Sequence, residues 1–190
     1  MSWTALVPIK APAAGKTRLA GSLPAEEREH LSDFMQRHVL NVLSQTPGIA
    51  RVAVLSAQRP CFWNGLWIAD EGAGLNAELT SAAKILGGKR IVIVHADLPM
   101  LMVEDVAILI AAGEYGAAIA PDRHHSGTNA LALLHADDIT LAFGPGSFRR
   151  HRNVFQGNAR IVERPHLAHD IDTPDDLACA TLPGNVRINR

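Results

Sequence analysis

The chain has 190 residues, 47% of them hydrophobic and 19% charged, which predicts one domain of ordinary size with a full core and excludes a disordered tail protein. Its formal net charge is −1. Since proteins that bind nucleic acid usually carry a basic excess, we expect no nucleic acid among the partners of this chain.

Apolar runs alternate with amphipathic stretches along the chain, a pattern typical of an α/β fold with a mostly parallel central sheet. In the first half, strands are predicted at residues 3–9, 51–55, 66–69 and 90–95, and helices at 24–44 and 75–86. The segment at 90–95 gives the strongest strand signal. In the second half, helices are predicted at residues 103–112, 147–153 and from 174 onwards, strands at 117–120 and 160–163, and an extended segment at 129–134. We therefore expect a single domain over residues 1–190.

Cysteine usage and the apolar runs bear on the compartment. Cys61 and Cys179 share no metal-binding or redox spacing, which favours a reducing compartment without a disulfide framework. The first residues lack the basic and apolar regions of a signal peptide, and the apolar runs are shorter than a membrane span. These features predict a cytoplasmic protein that does not enter a membrane.

A basic, glycine-containing segment follows the first predicted strand. In open α/β sheets, ligands bind beyond the carboxyl ends of the strands, so this segment is placed to meet one. Lys10, Lys16 and Arg18 could neutralise a triphosphate, and Gly15 would let the backbone approach it. The spacing is not that of a P-loop, and a solvated basic loop is the alternative interpretation.

Two glycines precede the helix predicted at 75–86. Gly74 could let the backbone approach a nucleotide base, and Asn76 offers both a donor and an acceptor to a base edge. The alternative is a plain helix start with Asn76 near its cap.

Acidic residues lie at two distant places in the chain. Asp97 comes just after the strand predicted at 90–95, and Asp170 and Asp172 precede the last helix. Carboxylate oxygens are ligands that Mg²⁺ prefers, so the two places could share a metal site if the fold brings them together. The alternatives are a turn residue for Asp97 and a solvated helix-start acid for Asp172.

A glycine-rich turn precedes the helix predicted at 147–153. Gly144 and Ser147 belong to this turn, and the free N–H groups of a helix N-terminus form an anion site. Arg150 and its neighbours, His151 among them, are expected to add positive charge, which suits a substrate with carboxylate and phosphate groups. The alternative is a tight turn before a solvated basic helix. The remaining histidines, including the His124-His125 pair, are interpreted as surface or loop residues, because no cysteine spacing supports a zinc site.

Taken together and in order, the motifs resemble the 2-phospho-L-lactate guanylyltransferase family, which acts in the biosynthesis of coenzyme F-420. The resemblance runs from about residue 5 to 178 and rests on segments that are weak singly and specific jointly. These segments are Val7–Lys10, Gly15–Leu19, Gly74–Ala77, Ala96–Pro99, Pro121–Arg123, Gly127–Leu131, Gly144–Phe148 and Asp170–Pro174.

The resemblance implies a nucleotidyltransferase with a glycosyltransferase-A-like, Rossmann-like fold. Such an enzyme transfers GMP from GTP to a small phospho-carboxylic acid and releases pyrophosphate. The acid would be 2-phospho-L-lactate, phosphoenolpyruvate or 3-phospho-D-glycerate, and a downstream deazaflavin transferase would take the product. The family pattern differs at His125-Ser126 and in the aromatic loop at 58–65, so the identity of the acid stays open.

The resemblance also implies roles for individual residues. Thr128, Gly144 and Ser147 would hold the phospho-acid, and Lys16 and Arg18 would face the triphosphate. The implied Mg²⁺ ligands are Asp97, Asp170 and Asp172.

Two alternative functions stay open at this stage. One is a molybdopterin- or sugar-phosphate-type nucleotidyltransferase, and the other is a non-catalytic GTP-binding regulatory module. The oligomeric state is also left open, with a homodimer as one alternative.

Overall fold

The computed structural model describes residues 2–10, 16–137 and 140–180, and these residues form seven β-strands and six α-helices. The strands are β1 (Trp3–Pro8), β2 (Ile49–Ser56), β3 (Leu66–Ala69), β4 (Lys89–Val94), β5 (Ala117–Pro121), β6 (Thr128–His135) and β7 (Arg160–Ile161). The helices are α1 (Ala25–Gln45), α2 (Leu75–Ile85), α3 (Val103–Gly113), α4 (Ser147–Val154), α5 (Pro165–Ala168) and α6 (Pro174–Cys179). A single turn of 3-10 helix, Thr17–Leu19, precedes α1.

The strands form one twisted sheet in the order β3-β2-β1-β4-β6-β5-β7. Within the described chain, β6 runs antiparallel to both of its neighbours, β4 and β5, while the other pairs are parallel. The start of β6 therefore lies at the same edge of the sheet as the end of β4. The carboxyl ends of β1, β2 and β4 and the first residues of β6 share that edge.

Helices cover both faces of the sheet because successive side chains of a strand point to opposite sides. On β1, Ala5 and Val7 pack in a cluster that includes residues of α1 and α3, such as Leu43 and Leu109. Leu6, between them in sequence, belongs to the opposite cluster with α2. Strands buried on both faces read as continuous apolar runs, which explains the strong signal of β4.

The α/β fold with a mostly parallel sheet is confirmed, and most predicted elements agree with the structure to within a few residues. The late strand is shorter than predicted, because pairing with β5 ends at Ile161 rather than Glu163. Helix α5 and the 3-10 turn were not expected, since four and three residues are too few to show helical periodicity. Among the described residues, no helix is both long and apolar enough to cross a membrane.

Gly113 at the end of α3 provides a test of core packing. A Cβ atom at this position would lie 2.7 Å from the Trp3 ring and 2.8 Å from the Ala132 Cβ atom. We expect Gly113→Ala to lower the free energy of unfolding by about 2 kcal/mol, because overpacking forces neighbours to shift. Gly21→Ala, where a Cβ atom would meet nothing within 4 Å, is the matched control and should change stability little in urea unfolding. Equal stability of the two variants would contradict the expectation.

Candidate active site

Three carboxylates converge at the edge of the sheet where β4 ends. Asp97 lies three residues beyond β4, while Asp170 and Asp172 lie in the segment between α5 and α6. A backbone hydrogen bond from Ile171 N–H to the Asp97 carbonyl, 3.2 Å long, joins the two segments. One oxygen from each carboxylate lies within 4.8 Å of the others. The fold thus brings together the acidic residues that the sequence places more than 70 positions apart.

Lys16 neutralises part of this acidic cluster. Its Nζ atom lies 2.8 Å from Asp97 Oδ2 and 2.9 Å from Asp172 Oδ1. Burial lowers the pKa of Lys16, but the two carboxylates outweigh it and the net shift is upward. For Asp97, burial alone would raise the pKa, but the charge of Lys16 outweighs burial and the net shift is downward. At neutral pH the pair is therefore fully ionised.

Asp170 differs electrostatically from Asp97. Burial, and next the charge of Asp97, raise its pKa to about 6. Asn129, at the start of β6, donates from Nδ2 to Asp170 Oδ1 over 3.1 Å and to the Leu167 carbonyl over 3.0 Å. This amide fixes the position of Asp170 and connects the acidic cluster to β6.

Two buried polar atoms at the end of β4 have no hydrogen-bond partner among the described residues: Asp97 Oδ1 and His95 Nε2. Such an atom is costly to bury and calls for an explanation such as a bound ion or ligand. Three clustered carboxylates with one unpaired oxygen suit a hard divalent cation. His95 is neutral at pH 7, since burial lowers its pKa and outweighs the charge of Asp97.

A cavity of about 170 Å³ opens beside the cluster, between α1 and the ends of β1 and β4. Its lining includes Lys10, Lys16, Leu75, His95, Asp97 and Asp172. The structure therefore places Lys10 in the same cavity as the acidic cluster. Arg18 lies at its margin, with 73% of its side chain exposed and Nη1 3.9 Å from Asp172 Oδ2. Gly15 lies outside the described residues.

Gly74 and Asn76 lie at the start of α2. Gly74 is the N-cap residue, and its φ of +95° is a conformation that favours glycine. The Asn76 side chain binds the backbone of Phe143, accepting from its N–H over 2.7 Å and donating to its carbonyl over 3.1 Å. Asn76 thus holds the 142–144 segment in this structure. These two hydrogen bonds were not predicted from the sequence.

The residues expected to hold an acid lie around the start of α4. Thr128 begins β6 and is buried, and Ser147, also buried, is the first residue of α4. Gly144 has a φ of +113° and its carbonyl accepts from Ser147 N–H over 3.0 Å. Arg150 donates from Nη2 to the Phe143 carbonyl over 3.2 Å. Phe148 N–H donates to the Ser126 carbonyl over 3.2 Å, so the start of α4 lies against the residues that lead into β6.

Comparison with known proteins gives a clear assignment. The chain matches a family model described as "Guanylyl transferase CofC like" over residues 3–190. It is 36% identical over 189 residues to phosphoenolpyruvate guanylyltransferase of Sphaerobacter thermophilus, covering 93% of this chain and 91% of the relative. The chain belongs to the CofC-like guanylyltransferase family. The enzyme of the same name from Rubrobacter xylanophilus is 34% identical, with 98% of this chain and 97% of the relative covered.

Family membership confirms the enzyme class and reaction predicted from the sequence: a guanylyltransferase that transfers GMP from GTP to a phosphorylated acid. This assignment is favoured over the molybdopterin-type, sugar-phosphate-type and non-catalytic alternatives. The solved structure of 4-diphosphocytidyl-2C-methyl-D-erythritol synthase superposes with a TM-score of 0.63 at 14% identity, covering 93% of this chain and 95% of that one. At that identity the likeness shows the fold alone.

The sequence analysis did not predict the roles of two side chains that organise this candidate site. Asn129 belongs to the 127–131 segment and had no predicted role, but its side chain donates a hydrogen bond to Asp170. His151 was expected to add positive charge to the start of α4, and this expectation is wrong. Burial, and next the charge of Arg150, lower its pKa to about 4, so it is neutral at pH 7. Its burial depends on tertiary contacts that residues 147–153 alone do not reveal.

The 122–127 turn, where the sequence departs from the family pattern, is held by one carboxylate. Asp122 accepts hydrogen bonds from the backbone N–H groups of His124, Ser126 and Gly127, between 2.7 and 3.1 Å long. Burial raises the pKa of Asp122, and these hydrogen bonds reverse that shift to a net lowering. These hydrogen bonds stabilise the conformation of the turn that directly precedes Thr128.

Proposed function

We propose that this guanylyltransferase uses Mg²⁺ and takes phosphoenolpyruvate as its acceptor. The observation that carries the proposal is the convergence of Asp97, Asp170 and Asp172 within 4.8 Å. This cluster adjoins the start of β6 through Asn129. The choice of acid is supported by the names of the relatives, which are phosphoenolpyruvate guanylyltransferases. A cytoplasmic location, and passage of the product to a deazaflavin transferase of coenzyme F-420 biosynthesis, stay predictions.

We assign the donor side to the cavity beside β1. Lys10 lines this cavity and would bind the nucleotide, and Lys16 and Arg18 would balance the charge of the triphosphate. Gly74 and Asn76 flank the lining residue Leu75 and stay predicted nucleotide-binding residues, with Asn76 free to bind only after its amide releases Phe143. Gly15, outside the described residues, stays a prediction as well. The support for Lys16 is its buried ammonium beside two carboxylates, since a triphosphate oxygen could replace either one as its partner. Arg18 is exposed and long enough to turn towards an incoming phosphate.

We assign the metal to the three carboxylates. Asp97, Asp170 and Asp172 would hold Mg²⁺, and the unpaired Asp97 Oδ1 atom is the ligand that the free protein leaves available. When bound, the cation supplies charge neutralisation to the reacting phosphates. Asn129 keeps Asp170 in place for this role, and Ile171 N–H ties the segment to the Asp97 backbone.

We assign the acceptor acid to Thr128, Gly144, Ser147 and Arg150. The buried hydroxyls of Thr128 and Ser147 would donate hydrogen bonds to its anionic groups, and Arg150 would add a positive charge nearby. The nucleophile is a phosphate oxygen of the acid, which is already ionised near neutral pH. The protein therefore needs no strong general base, and its task is to align that oxygen with the α-phosphorus while pyrophosphate leaves.

Pyrophosphate release with GTP and Mg²⁺ tests the proposal directly. Phosphoenolpyruvate, 2-phospho-L-lactate and 3-phospho-D-glycerate are offered separately, with a deazaflavin transferase present to trap the product. We expect release with phosphoenolpyruvate at the highest kcat/KM. Preference for another acid would overturn the acceptor assignment, and equal rates in EDTA would overturn the metal assignment.

Ser147→Ala tests the acceptor side. We expect this variant to raise the KM for the acid roughly tenfold, the cost of one hydrogen bond to a charged group, and to leave the KM for GTP nearly unchanged. Initial-rate kinetics with each substrate varied at saturating concentrations of the other measure both constants. A selective loss of GTP affinity instead would refute the placement of Ser147.

A further inference from the structure

His151 is a fully buried side chain of α4 whose two ring nitrogens contact two different segments, each of which leads to residues assigned to the acid. Its Nδ1 atom lies 3.0 Å from Thr128 Oγ1, and its Nε2 atom lies 3.0 Å from the Ala142 backbone nitrogen. Its ring also packs edge-on against Phe143, with centroids 4.8 Å apart. One imidazole therefore joins the start of β6, the 142–144 segment and α4.

The hydrogen-bond partners determine the tautomer of this ring. A backbone N–H can only donate, so His151 Nε2 must accept from Ala142 and carries no proton. The pKa of about 4 keeps the ring neutral at working pH, so its single proton is on Nδ1. Nδ1–H then donates to Thr128 Oγ1.

The direction of that bond affects what Thr128 can do. A hydroxyl group has one proton to donate, and here its oxygen already accepts from His151. The Thr128 proton is thus left to point away from the imidazole, which is the arrangement needed to donate to an anion. A chain of two donors is also mutually polarising, which strengthens the outer bond.

The other nitrogen supports the segment that precedes α4. By accepting from Ala142 N–H, His151 fixes the backbone that leads into Phe143 and Gly144. The Gly144 carbonyl in turn accepts from the Ser147 N–H. His151 is therefore linked directly to Thr128 and, through the 142–144 backbone that Asn76 also holds, to Gly144 and Ser147.

We propose that His151 is the positioning residue of the acceptor site: it orients the Thr128 hydroxyl as a donor to the acid and fixes the 142–144 segment beside it. This inference rests on the proposed function, because it takes the acid to lie against Thr128. His151 acts through Thr128 and the backbone, and it exchanges no proton with the substrate.

Two substitutions separate the two contacts. In His151→Asn the amide nitrogen falls near the position of Nδ1 and can still donate to Thr128. In His151→Gln the amide oxygen reaches the position of Nε2 and can still accept from Ala142, but the donor to Thr128 is lost. We expect the glutamine variant to raise the KM for the acid roughly tenfold and the asparagine variant to raise it less, with the KM for GTP unchanged in both.

Thr128→Val tests whether His151 affects the KM for the acid through the Thr128 hydroxyl. If His151 acts through the Thr128 hydroxyl, His151→Gln should have little further effect on the acid KM in a Thr128→Val background, as a double-mutant cycle detects. Additive effects of the two substitutions, or an equal rise in the KM for GTP, would show a merely structural role and overturn the proposal.

Histidine ¹⁵N NMR of the unmodified protein tests the tautomer without any variant. A protonated Nδ1 and an unprotonated Nε2 are expected for His151, with the signal assigned by its absence in His151→Asn, and the opposite tautomer would overturn the proposal. In the kinetic assay, no turnover by the unmodified protein with any acid would overturn the proposed function and the acceptor role together. Normal turnover by the unmodified protein and an unchanged acid KM in His151→Gln would overturn the role of His151 alone.

Discussion

We expect Asp97→Asn to lower turnover by about 10³-fold while leaving the thermal midpoint nearly unchanged, since a charge that neutralises or binds at a phosphate-transfer site contributes several kcal/mol to the transition state. The substitution preserves shape, and it removes repulsion between Asp97 and Asp170, the second largest cause of the raised pKa of Asp170. The gain from that relief partly offsets the lost ion pair with Lys16. The substitution should therefore lower turnover strongly and change the thermal midpoint little.

Single-turnover pyrophosphate release and thermal unfolding measure the two effects of Asp97→Asn side by side. Asp33→Asn is the matched control, because Asp33 is a half-exposed aspartate of α1 whose described ion pair is with Arg37, one helical turn away. It should behave as the unmodified protein in both assays. An unchanged rate for Asp97→Asn at saturating Mg²⁺ would refute the metal role of Asp97.

The second large effect concerns stability. We expect Asp105→Ala to lower the free energy of unfolding by about 3 kcal/mol, because removing one partner of a buried ion pair leaves the other uncompensated. Asp105 is fully buried and accepts from Arg164 Nε over 2.8 Å, and its other oxygen lies 3.2 Å from His166 Nδ1. It also accepts from Met102 N–H and so caps α3. The estimate is below the upper range for such pairs since Arg164 is 35% exposed and can reach water.

Urea unfolding of Asp105→Ala and Asp33→Ala compares a buried pair with an exposed one. The exposed pair between Arg37 and Asp33 should contribute less than about 1 kcal/mol. Arg164→Met tests the coupling, and in that background Asp105→Ala should cost measurably less than it does alone. A loss for Asp105→Ala no larger than that for Asp33→Ala would contradict the expectation.

The sequence predicted the elements of this fold well because local pattern dominates where strands are buried on both faces. The run Ile91–Val94 is apolar throughout and is fully buried, and Asp97 was expected beyond its end. The sequence predicts a shared site for Asp97, Asp170 and Asp172 only if the fold brings them together. Their proximity depends on how β4 and the segment before α6 pack. The roles of Asn129 and His151 depend on contacts across β6 and α4, so no local pattern could indicate them.

The aromatic loop at 58–65 illustrates the same limit. Its sequence was unfamiliar, and the structure shows its rings packed against neighbours rather than against the acidic cluster. The Arg37 guanidinium lies 4.2 Å from the Phe62 ring centroid, and Arg59 donates to the Trp63 and Gly65 carbonyls. A cation–π contact with α1 is a tertiary feature that spacing along the chain does not encode.

The antiparallel placement of β6 has a consequence for how the two substrates meet. Val94 pairs with Ala130, and His95 N–H donates to the Asn129 carbonyl over 2.9 Å, so the ladder continues to the residues beside Asp97 and Thr128. Neighbouring strands are about 4.8 Å apart, and a hydrogen-bonded ladder changes this separation very little. We therefore expect the distance between the proposed metal side and the proposed acid side to be set when the sheet folds, so that the two phosphates align without a closing motion of the β4 and β6 backbones.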